Sequence, residues 1–160
     1  MQSYKIKSLG PGDKSWVAAF LKEHWNSPEI VTRGRVHRAD ELPGFVAVHD
    51  EHRLGLVTYR IEAGECEIVT LNSLCQGMGI GTELLKAVIQ AAAEAGCKRV
   101  WAVTTNDNLD ALRFFQTRGF VLAALHRNAV EEARDIKPDI PTHGFDSIPI
   151  RDEIEVELNF

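Results

Sequence analysis

Residues 76–82 read Gln-Gly-Met-Gly-Ile-Gly-Thr, and the apolar residues that follow (Leu84, Leu85, Val88, Ile89, Ala92 and Ala95) recur at helical spacing. Glycine costs roughly 0.5–1 kcal/mol relative to alanine inside a helix, so a cluster at a helix start needs a compensating role. A glycine turn between a strand and a helix gathers converging backbone N–H groups, and the helix start adds about half a positive charge. Such a turn binds phosphate without a charged side chain, and Gly77, Gly79 and Gly81 let the ligand come close to the chain. Two phosphate motifs fail here. A P-loop needs a Gly-Lys pair followed by Ser or Thr, and no such lysine follows Gly79 or Gly81. A dinucleotide fingerprint needs Gly or Ala where Thr82 stands, and an acidic residue where Thr104 and Thr105 end the next strand.

The elements that must carry this turn are legible as periodicities. "SYKIKSL" alternates as a first strand, and Asp13 stands to cap a helix with Trp16, Val17, Phe20, Leu21 and Trp25 on one side. Residues 26–44 lose periodicity and are expected to be a loop or short helix carrying Arg33, Arg35, His37 and Arg38. "FVAVH", "LGLVTYR" and "CEIVTL" are strands joined by the hairpin turns "DEHR" and "EAGE". The helix after the glycines ends at Gly96 as a cap, and "RVWAVTT" is the next strand, which implies a right-handed parallel crossover. "DNLDALRFFQTRGF" is a helix stopped by Gly119, followed by the strand "FVLAAL". "AVEEARDI" is a helical turn or two, and residues 137–151, with three prolines, form a long surface loop. "EIEVELNF" closes the chain as a strand with Ile154, Val156, Leu158 and Phe160 on one face. The expectation is an α/β fold: one domain over 1–160, a mixed, mostly antiparallel central sheet flanked by helices.

With 44% apolar and 26% charged residues the composition is that of a globular domain. A net charge of −5 argues against non-specific nucleic-acid binding and anionic membrane surfaces, and leaves room for a cationic substrate such as an amine. The three cysteines, Cys66, Cys75 and Cys97, form no CxxC pair and read as reduced thiols. "MQSYKIKSLG" carries no apolar signal core, and no run of about 18 apolar residues exists, so the expected location is cytoplasmic. The histidines include "HDEH" at 49–52 but resemble no compact ligand set, so no metal is expected.

"QGMGIG" resembles the Q/R-x-x-G-x-G/A signature of the GCN5-related N-acetyltransferase superfamily, and "NDNLDALRFFQTRGF" is similar to that family's second motif. The resemblance covers roughly residues 65–125. It implies the acyl-CoA N-acyltransferase fold and acetyl-CoA as co-substrate. The backbone from Gln76 through Gly77, Met78, Gly79, Ile80 and Gly81 to Thr82 would hold the CoA pyrophosphate. Leu71 would pair with the pantetheine arm, and Asn108 would reach the same arm or cap its helix. The implied reaction is N-acetylation of a primary amine of a small molecule or protein, by direct attack in a ternary complex.

Acyl transfer to an amine needs a base, because an alkylammonium with a pKa near ~10.4 is no nucleophile. Glu67 is the expected base: alternation turns it away from Ile68, four residues before Leu71, and "EIV" is similar to the Glu-Ile-Val of histone acetyltransferases in the superfamily. Glu65 shares its face and competes. The family's usual tyrosine acid is replaced by Phe115, which keeps an apolar contact near the sulfur but cannot donate a proton. That departure supports an alternative, a non-catalytic acyl-CoA-binding sensor. Arg33, Arg35 and Arg151 are expected to meet an acceptor carboxylate, and Asp152 its ammonium. The alternating C-terminal strand can complete its own sheet or a partner's, which leaves a homodimer open.

Overall fold

In the computed structural model, which describes residues 3–160, the chain runs β1 (Lys5–Ser8), α1 (Lys14–Trp25), β2 (Glu29–Thr32), β3 (Arg35–Arg38), β4 (Gly44–His49), β5 (His52–Glu62), β6 (Glu65–Ser73), α2 (Ile80–Glu94), β7 (Arg99–Thr105), α3 (Leu109–Thr117), β8 (Val121–His126), α4 (Ala129–Ile136) and β9 (Glu153–Asn159). This is the expected α/β fold, mostly antiparallel in its sheet, with flanking helices. The expected domain of 1–160 includes Met1 and Gln2, which lie outside the described residues. The rest groups into two compact units, one of residues 3–30, His37–Val100 and Phe160, the other of Val31–Val36 and Trp101–Asn159.

In the first unit β1, β4, β5 and β6 lie side by side, each pair antiparallel. The turn between β5 and β6 has positive φ at both Ala63 and Gly64, the pattern of a hairpin whose twist matches its strands. Leu56 on β5 packs with Val17, Phe20 and Leu21 of α1. Neighbouring Gly55 points to the other face, where a Cβ would come within 2.7 Å of Ile80 Cγ2 and 3.1 Å of Leu84 Cδ1. The absent side chain is what lets α2 pack directly on β5. Asp13 sits at the start of α1 as expected, yet its carboxylate makes no cap to the helix. It accepts instead from Gly10 N at 2.9 Å and from the Arg53 guanidinium at 2.9 and 3.1 Å.

The stretch expected as loop or short helix is a hairpin. β2 and β3 pair around Arg33 and Gly34, both at positive φ (49° and 73°). Four-residue strands are too short to show alternation, which is why the pattern stays hidden in sequence.

In the second unit β9 pairs antiparallel with β8. α4 is the expected pair of helical turns, eight residues long. Its Arg134 guanidinium donates to the carbonyls of Ile140, Pro141 and Ile150, so the long loop is laced to a helix. Val156 of β9 is fully buried, whereas Phe160, expected on the same face, lies past the strand and is exposed.

Candidate functional site

The glycine turn leaves β6 through Leu74, whose N–H bonds Leu54 O at 2.8 Å. Gly77 and Gly79 take φ of 77° and 72°, a region that strains residues with a Cβ. Tyr4 braces the turn from β1's side, its hydroxyl donating to Met78 O at 2.9 Å. Burial, with the Glu83 carboxylate adding to it, pushes that phenol above its ordinary pKa and keeps it a donor. Gln76 to Gly79 are exposed, and a Cβ on Gly77 would meet nothing within 4 Å. α2 then starts at buried Ile80, and Glu83 N is the first amide to reach back, to Gly79 O at 3.0 Å. The amides of the first turn precede any intrahelical acceptor, so the start of this 15-residue helix offers donors and positive potential to an anion.

On β6 the ladder slips by one residue. Thr58 pairs with Thr70 but Tyr59 pairs with Ile68, which leaves Val69 as a bulge. Arg60 then stands opposite Glu67. Glu67 therefore faces away from Ile68, as alternation predicts, but shares its side of the sheet with Thr70 and Thr58. Leu71, paired with Val57, lies on the other side. Because Leu56, Thr58 and Arg60 share a face, the Glu67 side is the one that α1 covers.

Glu67 is buried, 6% exposed, and its Oε1 lies 3.6 Å from Nε2 of His37, which is fully buried on β3. Arg60 Nε donates to His37 Nδ1 at 3.3 Å. A carboxylate, an imidazole and a guanidinium are thus brought together from three strands. Glu65, the competing base, belongs to a different arrangement: Arg99 Nε lies 3.0 Å away and Lys98 Nζ 3.4 Å. The Arg99 hydrogen bond holds its carboxyl below the usual carboxylate range. Burial pushes the neighbouring Cys66 thiol up to about 12, so Cys66 is no nucleophile. The sequence reading named Glu67 and missed His37 and Arg60. A histidine in an aperiodic stretch carries no signal of its partner.

In the second unit Asn108 is the N-cap of α3, its Oδ1 accepting from Ala111 N at 3.1 Å. Phe115 is buried, with ring centroids 5.1 Å from Phe120 and 5.4 Å from Phe114, a core position. Two residues that the sequence reading passed over tie the tail loop down. Asn106 Oδ1 accepts from Arg151 N at 3.0 Å and Asp152 N at 2.9 Å, and its Nδ2 donates to Pro149 O at 2.9 Å. Asp107, 3% exposed, accepts from Phe145 N at 3.1 Å and from the Thr105 hydroxyl.

The expected acceptor residues are largely engaged within the fold. Arg33 Nη1 meets Glu153 Oε1 at 3.0 Å, and Arg151 meets its neighbour Asp152 at 2.9 Å. Asp152 is itself buried and accepts from Asn128 N at 2.8 Å, with the Arg151 hydrogen bond holding its pKa low. Arg35 is exposed on β3. Among the described residues no three His, Cys, Asp or Glu side chains are grouped as metal ligands, and no helix is long and apolar enough to cross a membrane.

The chain belongs to the acetyltransferase (GNAT) family, whose model matches residues 13–120. It is 44% identical over 142 residues to the uncharacterized protein YdhI of Bacillus subtilis (strain 168), covering 88% of this chain and 89% of that one. YxbD of the same organism matches at 44% over the same length. Among solved structures, the IAA acetyltransferase from Bacillus cereus ATCC 14579 has a TM-score of 0.71 at 17% identity, covering 99% of this chain and 100% of the other. A GNAT family acetyltransferase from Elizabethkingia anophelis with acetyl-CoA bound has a TM-score of 0.69 at 18% identity, with both chains covered completely. Identities this low speak for the fold alone.

Proposed function

We propose that this protein is an acetyl-CoA-dependent N-acetyltransferase that acts on a primary amine of a small molecule or protein, with Glu67 as the base. What carries the reading is a buried carboxylate on the strand that leads into the glycine turn, with the His37 imidazole 3.6 Å from Glu67 Oε1.

The turn fits a CoA pyrophosphate. Its backbone is exposed at Gln76–Gly79, two glycines hold it in a left-handed course, and open space surrounds Gly77. The backbone from Gln76 to Thr82 would hold the pyrophosphate, and the Leu71 backbone the pantetheine arm. Acetyl-CoA, when bound, supplies an activated thioester. Glu67 accepts a proton from the acceptor ammonium through an intervening water, since its side chain is only 7% exposed. Asn108 keeps its cap role in α3, and Arg35 remains a proposed contact for the acceptor.

A second reading, an acyl-CoA-binding sensor without turnover, is favoured by one observation: Phe115 stands where the family's tyrosine acid would be. Thiol release from acetyl-CoA against a panel of primary amines tests both. Amine-dependent release that falls sharply in Glu67→Gln supports the transferase. Binding of acetyl-CoA without release in any amine, unchanged by Phe115→Tyr, would support the sensor.

A further inference from the structure

We propose that His37 is the positioning residue for the Glu67 carboxylate, and that Arg60 sets it by fixing the imidazole tautomer. The inference rests on the reading of Glu67 as base.

A guanidinium only donates hydrogen bonds. Arg60 Nε at 3.3 Å from His37 Nδ1 therefore requires a lone pair on Nδ1. The neutral ring then carries its hydrogen on Nε2, the atom 3.6 Å from Glu67 Oε1. That distance is longer than a direct hydrogen bond, but it turns the positive end of an N–H dipole toward the carboxylate in a largely buried site. Protonating Nδ1 as well would set two N–H groups against each other, so Arg60 opposes an imidazolium. The arrangement is geometrically over-determined: Arg60 and Glu67 are cross-strand partners, and His37, fully buried on β3, is held over them. A base needs this. It must stay ionised to take a proton, and an N–H dipole aimed at the carboxylate favours that ionised form.

Other titratable groups lie near the cluster on the same strands. Cys66, beside Glu67 on β6, and Tyr59, beside Arg60 on β5, are both pushed up by burial and remain neutral near pH 7. Glu65 further along β6 is paired with Arg99 of β7 and with Lys98.

The experiment is NMR of the full chain labelled in histidine ring nitrogens and glutamate carboxyl carbons, titrated from about pH 5 to 8. His37 is expected as the Nε2–H tautomer throughout. His37→Leu should move the Glu67 titration upward by about one pH unit, and His37→Gln, whose amide nitrogen takes the place of Nε2, should restore most of it. Arg60→Met should let His37 titrate or change tautomer. A native His37 protonated on Nδ1, or a Glu67 titration unmoved by both His37 variants, overturns the proposal. Should His37→Leu not fold, the native tautomer and the Gln and Met variants still decide it. Full amine-dependent turnover by Glu67→Gln would overturn the base reading separately, while leaving the tautomer result intact.

Discussion

Arg33 Nη1 donates to Glu153 Oε1 at 3.0 Å, and the Arg33 backbone N–H donates to the same carboxylate, 120 positions along the chain. The tip of the β2–β3 hairpin is thereby joined to the first residue of β9. Glu153 is 4% exposed, so little of its carboxylate is left to water. Arg33→Ala is expected to destabilise the protein by about 1–3 kcal/mol by leaving a buried carboxylate short of a donor. Adding Glu153→Gln should recover part of the loss, because the uncompensated charge is gone. Urea unfolding of both variants measures this, and equal stability of Arg33→Ala and the native protein would return Arg33 to the list of acceptor contacts.

Glu65 and Glu67 share a face but not an environment. Glu67→Gln should reduce amine-dependent thiol release by ~10²–10⁴, the range for a lost general base. Glu65→Gln should leave turnover near the native rate and lower thermal stability, since Arg99 and Lys98 lose their shared carboxylate. The reverse pattern in steady-state kinetics would make Glu65 the base.

Gly79 is the N-cap of α2 at φ 72°. Gly79→Ala places a Cβ in the left-handed region at a cost of roughly 1–2 kcal/mol. Calorimetric titration with CoA should show weaker binding as the turn relaxes, and Tyr4→Phe, which removes the hydrogen bond to Met78 O, should weaken it in the same direction. CoA affinity unchanged in both variants would remove this turn from the proposed site.

Stability should decline at both ends of the pH scale for separate reasons. Asp13 is held low first by the Gly10 N–H and then by Arg53, Glu65 by Arg99, and Asp152 by Arg151. Carboxyls whose folded pKa lies below the unfolded value stabilise the fold above about pH 4 and lose that contribution as pH falls through the folded pKa. Cys66 works in the opposite sense. With its folded pKa raised to about 12, the unfolded thiol ionises first, so its contribution is complete below about pH 8.5 and fades as pH climbs toward the folded value. Urea midpoints across pH 3–10 in native protein and Cys66→Ala would show the alkaline decline flatten in the variant; an identical alkaline slope would assign it elsewhere.

Most of the strands and helices were legible because each is encoded within its own span. The alternation in "FVAVH", the apolar stripe of α2, and Gly96 and Gly119 as helix stops are local preferences of backbone and side chain. The glycine turn was legible for the same reason, since Gly77 and Gly79 answer to φ alone. The β2–β3 hairpin was not. Its strands have four residues each, and its one local signal, Arg33-Gly34 at positive φ, rests on a pair with weak turn preference.

By itself the sequence determined the order of the elements outside the β2–β3 hairpin, the family, the turn at the start of α2 and the glutamate near the start of β6. Only the tertiary structure decided what surrounds that glutamate. The bulge at Val69 breaks the period-two pattern and sets Glu67 on the α1 side with Thr70, away from Leu71. His37, thirty residues earlier, meets it because β3 packs over β5 and β6. Neither a register slip nor a contact between distant strands leaves a trace in local spacing. Both are set by which arrangement buries the most apolar surface while pairing every buried polar group.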